Sequence, residues 1–388
     1  MPTGAAPGRL PNSTDVLVVG GGIVGCSLAY WLAQEGIEVV VIDRFDLNTQ
    51  ASGANAGSLH AQLQSSRARQ TDPKMVESNN HVVKLGTPAI RLWQQLAKTL
   101  DTDIEVVVEG GLMIAENDDD RKMIEAKVKR ENALGLEAEI ISGNALRTIA
   151  PYLSDQALVA EFCPIEGRVN PIVATPAIVR AAQRHGARFF RHTELLSLEK
   201  LSDGYEAKTV RGSIRCKRLV NAAGPGGGKV AAMAGINVPV AGDFLHMNVT
   251  EAVEHFVPHL VQHARRKLTL KQASNGNFLL GGGWPAGPDP KTGLPSVNRA
   301  SLEQNLWMSI QVVPALRNTR LIRTWAGINI SLDGMPLLGP VPGHPNFHFA
   351  LVVTGYTLGP FCAQLVAAKL MGRAPVMDIS PYSVERFG

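Results

Sequence analysis

The residue types best suited to chemistry gather near the start of the chain. There Gly20, Gly22 and Gly25 stand in the spacing G-x-G-x-x-G inside the stretch "VLVVGGGIVGCSLAYWL". An acid, Asp43, follows about 20 residues further on, the separation expected between a pyrophosphate-binding turn and a carboxylate that accepts hydrogen bonds from a ribose. Each glycine has its own task in such a turn: Gly20 permits the tight bend, Gly22 lets the backbone reach the phosphates, and Gly25 lets a helix pack closely on a strand. The competing reading is a structural glycine turn without a ligand, and the flanking elements decide between the two.

Residues 15–20 read as a short buried strand, 23–35 as a helix, and "EVVVID", ending at Asp43, as a second strand. Both strands are continuous apolar runs, as parallel strands covered on both faces must be. The unit is strand, glycine turn, helix, strand, and the helix N-terminus offers free N–H groups and a positive dipole end to phosphates. The same stretch is as apolar as a membrane span. Asp15 and Gln34 bound it closely, however, and Gly20, Gly21, Gly22 and Gly25 interrupt it, so no transmembrane segment is expected.

The 388 residues suffice for two domains or one large one. With 45% apolar and 19% charged residues the chain is globular rather than disordered. A net charge of +4 with scattered Lys and Arg speaks against nucleic-acid binding. Cys26, Cys163, Cys216 and Cys362 form no C-x-x-C pair, which argues against zinc, an iron–sulfur cluster or a disulfide scaffold; no metal is expected. The reading is a cytoplasmic protein, its N-terminal "MPTGAAPGRLPNS" a flexible arm without the apolar core of a signal peptide.

Beyond Asp43, the small-residue loop "NTQASGANAGSLHAQ" precedes a helix predicted from about Pro88 to Leu100. The run "DDDRKMIEAKVKRENALG" reads as a surface helix with a solvated charged face and Gly135 as its stop. A helix from about Pro171 to His185, strands through "GSIRCKRLVNAAG", the helix-like "NRASLEQNLWMSIQVVPAL" and an apolar helix ending near Leu370 complete the chain. The expected fold is α/β. A nucleotide-binding domain is made of residues 1–87, 156–232 and 322–388, and an inserted α+β substrate domain of mixed antiparallel sheet and helices is made of 88–155 and 233–321. The cofactor could be NAD or FAD. The turn "TGYTLGP", directly before the last helix, could set a helix N-terminus against the negative charge of a reduced flavin, or could simply pack the sheet.

Together, "VLVVGGGIVGCSLAYWLAQEGIEVVVIDR", "ASGANAGSLHAQ", "RLVNAAG", "WAGINISLDGMPLLG" and "GYTLGP" resemble the D-amino acid oxidase-like superfamily of FAD-dependent amine oxidoreductases over nearly the whole chain. The "NAGSLHAQ" and "GYTLGP" variants are most similar to the FAD subunit of opine oxidases and to D-hydroxyproline and proline dehydrogenases. The resemblance implies a Rossmann-like domain with non-covalent FAD, because no Cys lies between Trp325 and Gly339 where covalent relatives carry one. It implies that Ile23 and Val24 lie over the pyrophosphate and that Asp43 and Arg44 hold the adenosine ribose. Ala51, Ser52, Asn55, Ala56, Gly57 and Ser58 would follow the phosphates and flavin, Leu195 the adenine, and Ala223 and Gly224 the nucleotide. Thr357, Leu358, Gly359 and Pro360 would cap the flavin's pyrimidine end. The implied activity is a dehydrogenase that oxidises the C–N bond of a secondary amine or imino acid by hydride transfer to the flavin. Electrons would pass to a partner subunit carrying another flavin or an iron–sulfur centre in a hetero-oligomer. A self-sufficient oxidase producing hydrogen peroxide and a non-catalytic flavin-bearing assembly subunit are the alternatives.

Two departures bear on the substrate side. Asn329 stands where glycine oxidase-like members place an arginine for the substrate carboxylate, and "TLG" replaces the GHG turn of many dehydrogenases. The candidates left for the catalytic face are His60, which leaves the flavin-facing loop, together with Asn329 and Tyr356. In "KLTLKQ", Lys267, Thr269 and Lys271 share one strand face, which in relatives faces the substrate. His263 and Arg265 are weaker candidates. For each, a hydrogen-bonded structural residue or a solvated face is the competing reading, and Trp284 reads as core.

Overall fold

The structure, a computed structural model, describes residues 8–388, and the first seven residues of the expected N-terminal arm lie outside the described residues. The opening stretch divides as its glycines require, into β1 (Ser13–Val19), α1 (Ile23–Gln34) and, after Gly36, β2 (Val39–Ile42). β1 lies at the centre of an eight-stranded sheet. On one side it pairs parallel with β2, which pairs parallel with Arg188–Phe190. On the other side Gly212–Asn221 and then His344–Leu351 follow in parallel, with Leu337–Val341 antiparallel at the edge. Side chains alternate across this sheet, and both faces are buried. Val16, Val18, Val39 and Val41 face a core with α1 and the last helix, Gly355–Leu370, while Leu17, Val19, Val40 and Ile42 face a second core with Tyr205, Phe347 and Val230. That is why both strands read as unbroken apolar runs.

A second eight-stranded sheet is built largely from the chain between these pieces. Its order runs Leu321–Ser331, Ala241–Ala252, Asn277–Gly281, Thr269–Gln272, Leu260–His263, Gly111–Ala115, Val159–Cys163, Glu139–Ser142. Its neighbours are antiparallel except Leu260–His263 with Gly111–Ala115, so the sheet is mixed, as expected. Val159–Cys163 and most of Leu321–Ser331 were assigned by sequence to the nucleotide-binding part but pair here.

Two helices depart from their sequence reading. Pro88 does not begin a helix; it lies inside Pro73–Thr99, whose N-cap is Asp72, accepting from Met75 N at 3.0 Å, with Pro73 in the first turn. A proline removes one helical hydrogen bond but need not end a helix whose apolar face is held by packing, and here Leu85, Ala89, Leu92 and Trp93 are buried in the first core. Asp118–Ala133 is capped by Asn117 and stops at Gly135 as expected, yet its charges are not all solvated: Asp120, Lys127 and Glu131 are buried. No helix among the described residues is long and apolar enough to cross a membrane.

The turn between β1 and α1 leaves no room for a side chain. A Cβ at Gly25 would stand 1.9 Å from the Gly20 carbonyl oxygen, and Gly20 itself has φ +121°. Gly25→Ala is expected to destabilise the fold by about 3 kcal/mol in urea unfolding, against about 1 kcal/mol for Gly36→Ala, whose added carbon meets nothing within 4 Å. Equal losses would contradict the close approach.

Candidate functional site

A cleft of about 950 Å³ runs between the two sheets, with the β1–α1 turn at its wall. That is at the upper end of the range for ligand pockets, about 300–1,000 Å³. Of the residues expected to hold a nucleotide, Gly20, Gly22, Ile23, Val24, Asp43, Arg44, Ala51, Ser52, Asn55, Ala56, Ser58, Leu195, Ala223, Gly224 and Thr357 line it. Gly25, Gly57, Leu358, Gly359 and Pro360 do not. Gly57 sits under the Val169 carbonyl, where a Cβ would meet it at 2.0 Å. Gly359 packs on Ile23 and Val24 of α1, and the Pro360 carbonyl accepts from Trp31 Nε1 at 3.1 Å. These small residues of the last helix let two helices meet rather than touch a ligand.

The glycine turn fits a dinucleotide's pyrophosphate. The first N–H groups of α1 have no acceptor within the helix. Ser52 Oγ takes that of Ile23 at 2.9 Å and Asp43 Oδ2 takes that of Gly21 at 2.7 Å, which leaves Gly22 N and Val24 N, both on the cleft wall, to a bound anion. A Cβ at Gly22 would come within 2.9 Å of Ser52 Oγ, so the cradle depends on its absence. Asp43 Oδ1 accepts from Phe45 N at 2.7 Å. Its carboxyl is raised above the usual range by burial, against the pull of these two N–H groups, and it holds the loop on which Arg44 stands.

Thr354, with φ +52°, turns the chain into the last helix, so that Thr354, Gly355, Tyr356 and Thr357 present the helix N-terminus to the cleft. Thr357 Oγ1 accepts from His60 N and donates to the Ser58 carbonyl, both at 3.1 Å. The loop that carries His60 is thus stitched to the helix end. Tyr356, expected at the catalytic face, directs its hydroxyl elsewhere: it bonds Thr175 Oγ1 at 3.0 Å and the Pro171 carbonyl at 3.2 Å, and its ring stacks on Trp93. Lys271 does not line the cleft. It is buried behind it, donating to Ser58 Oγ at 2.7 Å, and desolvation with the nearby Arg168 charge lowers its pKa to about 7. His60 lines the cleft, its Nδ1 without a hydrogen-bond partner among the described residues and 3.9 Å from Glu166 Oε1. Burial, with the Lys271 charge, lowers its pKa to about 3, so its imidazole is neutral.

Beneath this loop lies a set of buried charges that sequence reading missed. Glu166 accepts from Ala61 N at 2.7 Å, Gln62 N at 2.8 Å and Gln62 Nε2 at 2.8 Å, and Glu131 accepts from Leu63 N at 2.6 Å. Lys127 is bonded to Glu131 at 2.9 Å and to Glu161. Burial raises Glu166 to about 7 despite its three N–H donors, while the two carboxylates beside Lys127 overcome desolvation and raise its pKa. An alternating pattern of buried charge on a highly charged helix carries no hydropathy signal, and only the i, i+4 spacing of Lys127 and Glu131 hints at it.

The second sheet supplies His263, Thr269, Gly327 and Asn329 to the cleft, with His246, Gln262 and Arg266 also unforeseen. Asn329 is exposed on Leu321–Ser331, opposite Asp243. His263 is buried, and its Nδ1 accepts from Arg265 N at 3.0 Å and Arg266 N at 3.1 Å, so it shapes the turn that follows it. Trp284 packs against the core of the second sheet.

Residues 15–369 match the family described as "DAO: FAD dependent oxidoreductase". A subunit of the opine oxidase of Rhizobium meliloti is 24% identical over 96% of this chain and 97% of its own length. Glycine oxidase of Geobacillus kaustophilus is 24% identical over 96% and 97%. The fold is that of L-proline dehydrogenase from P. horikoshii, with a TM-score of 0.87 and 22% identity over 97% of this chain and 98% of that one.

Glu166 generates a pH prediction. A carboxyl whose folded pKa lies above its unfolded value stabilises the fold below the unfolded value and loses that contribution as pH rises through the folded one. Between pH 5.5 and 8 the wild type should therefore lose about 2 kcal/mol that Glu166→Gln does not, read as the difference between their urea unfolding curves at the two pH values. Parallel pH profiles would contradict a neutral, buried Glu166.

Proposed function

The chain belongs to the DAO family of FAD-dependent oxidoreductases, and on that premise we propose that it is a dehydrogenase acting on the C–N bond of a secondary amine or imino acid. What carries the reading is the single cleft that joins a dinucleotide-binding glycine turn to a polar wall from the second sheet. FAD held there would supply a two-electron acceptor for a hydride from the carbon next to the substrate nitrogen; with the N–H proton released to water, the amine would become an imine that water hydrolyses. The chain's part is placement and exclusion. Gly22 N and Val24 N would bind the pyrophosphate, Ser52 fixes their turn, and the N-terminus of Gly355–Leu370 would favour negative charge on the flavin. Thr357 and Lys271 hold Ser58 and His60 in place from opposite sides. His60, neutral, serves as a hydrogen-bonding wall rather than as a charged clamp.

Likeness to one subunit of an opine oxidase over nearly the full length of both chains supports a multi-subunit enzyme acting on an amine; an electron-accepting partner subunit with its own flavin or iron–sulfur centre completes this reading. Likeness to glycine oxidase supports the second reading, a self-sufficient oxidase that passes electrons to oxygen.

Adding opines, proline isomers, D-amino acids and sarcosine in turn to the yellow protein without oxygen should bleach the flavin with at least one secondary amine or imino acid. Bleaching by none would sink the enzymatic reading and leave a flavin-bearing assembly subunit. Mixing the reduced protein with oxygen in a stopped-flow instrument should then give slow reoxidation, and rapid return of the colour would favour the oxidase.

A further inference from the structure

The cleft wall from the second sheet carries more positive charge than its acids balance. The turn between Leu260–His263 and Thr269–Gln272 brings Arg265, Arg266 and Lys267 to the cleft, and Arg69 joins them from the segment after Ser65–Ala68. Arg69 and Arg265 share one buried carboxylate, Asp120. Arg266 pairs with Glu116 at 3.1 Å, and Lys267 has no acidic partner among the described residues. Four cations against two carboxylates leave a surplus of two positive charges. The acids that line the cleft, Asp43, Asp46 and Glu194, all stand on the nucleotide-binding side.

The arginines of the cluster are held before any ligand arrives. His263 Nδ1 holds the backbone of Arg265 and Arg266, and Arg69 Nε and Nη2 donate to the Ala264 carbonyl at 3.3 and 3.2 Å. Little ordering remains to oppose binding. The heads are still reachable, with the Arg265 and Arg266 side chains 54% and 42% exposed, and each guanidinium has five N–H donors, more than its acid uses. A planar carboxylate suits such a fork.

We infer that the substrate of this cleft is an amine carrying two carboxylates, and that the cluster binds the carboxylate further from the reacting C–N bond. The inference rests on the reading that the cleft oxidises an amine. An amine whose only carboxylate stands beside the C–N bond would leave the surplus charge of the cluster without a partner, whereas a second, distal carboxylate would meet it.

Iminodiacetate and sarcosine differ by one carboxylate and separate the cases. The holoenzyme should favour iminodiacetate by at least about tenfold in kcat/KM, and that ratio should fall about tenfold in Arg266→Gln and in Lys267→Gln. Lys267 is exposed and unpaired with acid, so its variant keeps the fold. Equal handling of the two amines by the wild type, or a ratio that neither variant moves, would overturn the inference. Calorimetric titration of the holoenzyme with glutarate and with propionate gives a readout without turnover. Tighter binding of the diacid, lost in the Lys267 variant, supports the site even if no amine bleaches the flavin, whereas equal binding of both acids refutes it whatever the flavin does.

Discussion

The structure turns on how closely α1 approaches the strand before it. With no side chain at Gly25, the helix sits against the Gly20 carbonyl, and its first N–H groups come to the edge of the sheet where the cleft begins. The last helix then packs on α1 through Gly359, against Ile23 and Val24, which brings its own N-terminus to the same cleft. Two helix ends thus converge on one space because two glycines remove the atoms that would keep the elements apart. Helix N-termini favour anions, so the negative groups of FAD would be held largely by backbone, and the side chains around them serve to hold the turns.

Much of this was legible in the sequence because it rests on local rules. A glycine spacing, two apolar runs and an acid at the right distance define β1, α1 and β2 within a residue or two. Most of the expected nucleotide contacts also line the cleft, since residues on one short loop share one wall. The failures arise where tertiary packing overrides a local signal. Pro88 looked like a helix start, yet the buried face of Pro73–Thr99 continues past it. Leu358, Gly359 and Pro360 follow a lining residue in the chain, but a helix turns successive residues to different sides, and these meet α1 and Trp31. Lys271 shares a strand face with Thr269, and its long side chain reaches behind the wall to Ser58 instead of through it. Arg69 gave no signal because it reaches the cleft only when Asp120, more than fifty residues on, is folded beside it.

The substrate side depends on a division of labour between charged and neutral groups. Where the loop meets the helix end, the wall is neutral: His60 is an uncharged imidazole, and Thr357 links its loop to Ser58. The free charge is placed on the turn after His263. Under the proposed function, a neutral wall near the reacting carbon would avoid opposing the charge that develops there, while cations set apart from it would orient the substrate without entering the reaction.

The loop of Ala61, Gln62 and Leu63 has each of its N–H groups held by a carboxylate from the other sheet's elements, Glu166 or Glu131, and Glu131 shares Lys127 with Glu161. Separating the two parts would leave buried N–H groups and carboxyl oxygens without partners, a loss of about 1–3 kcal/mol for each. The cleft walls are therefore not interchangeable modules. A recombinant chimera that takes its substrate half from a relative must carry this loop and its three acids together, or it inherits a cavity whose floor has come loose.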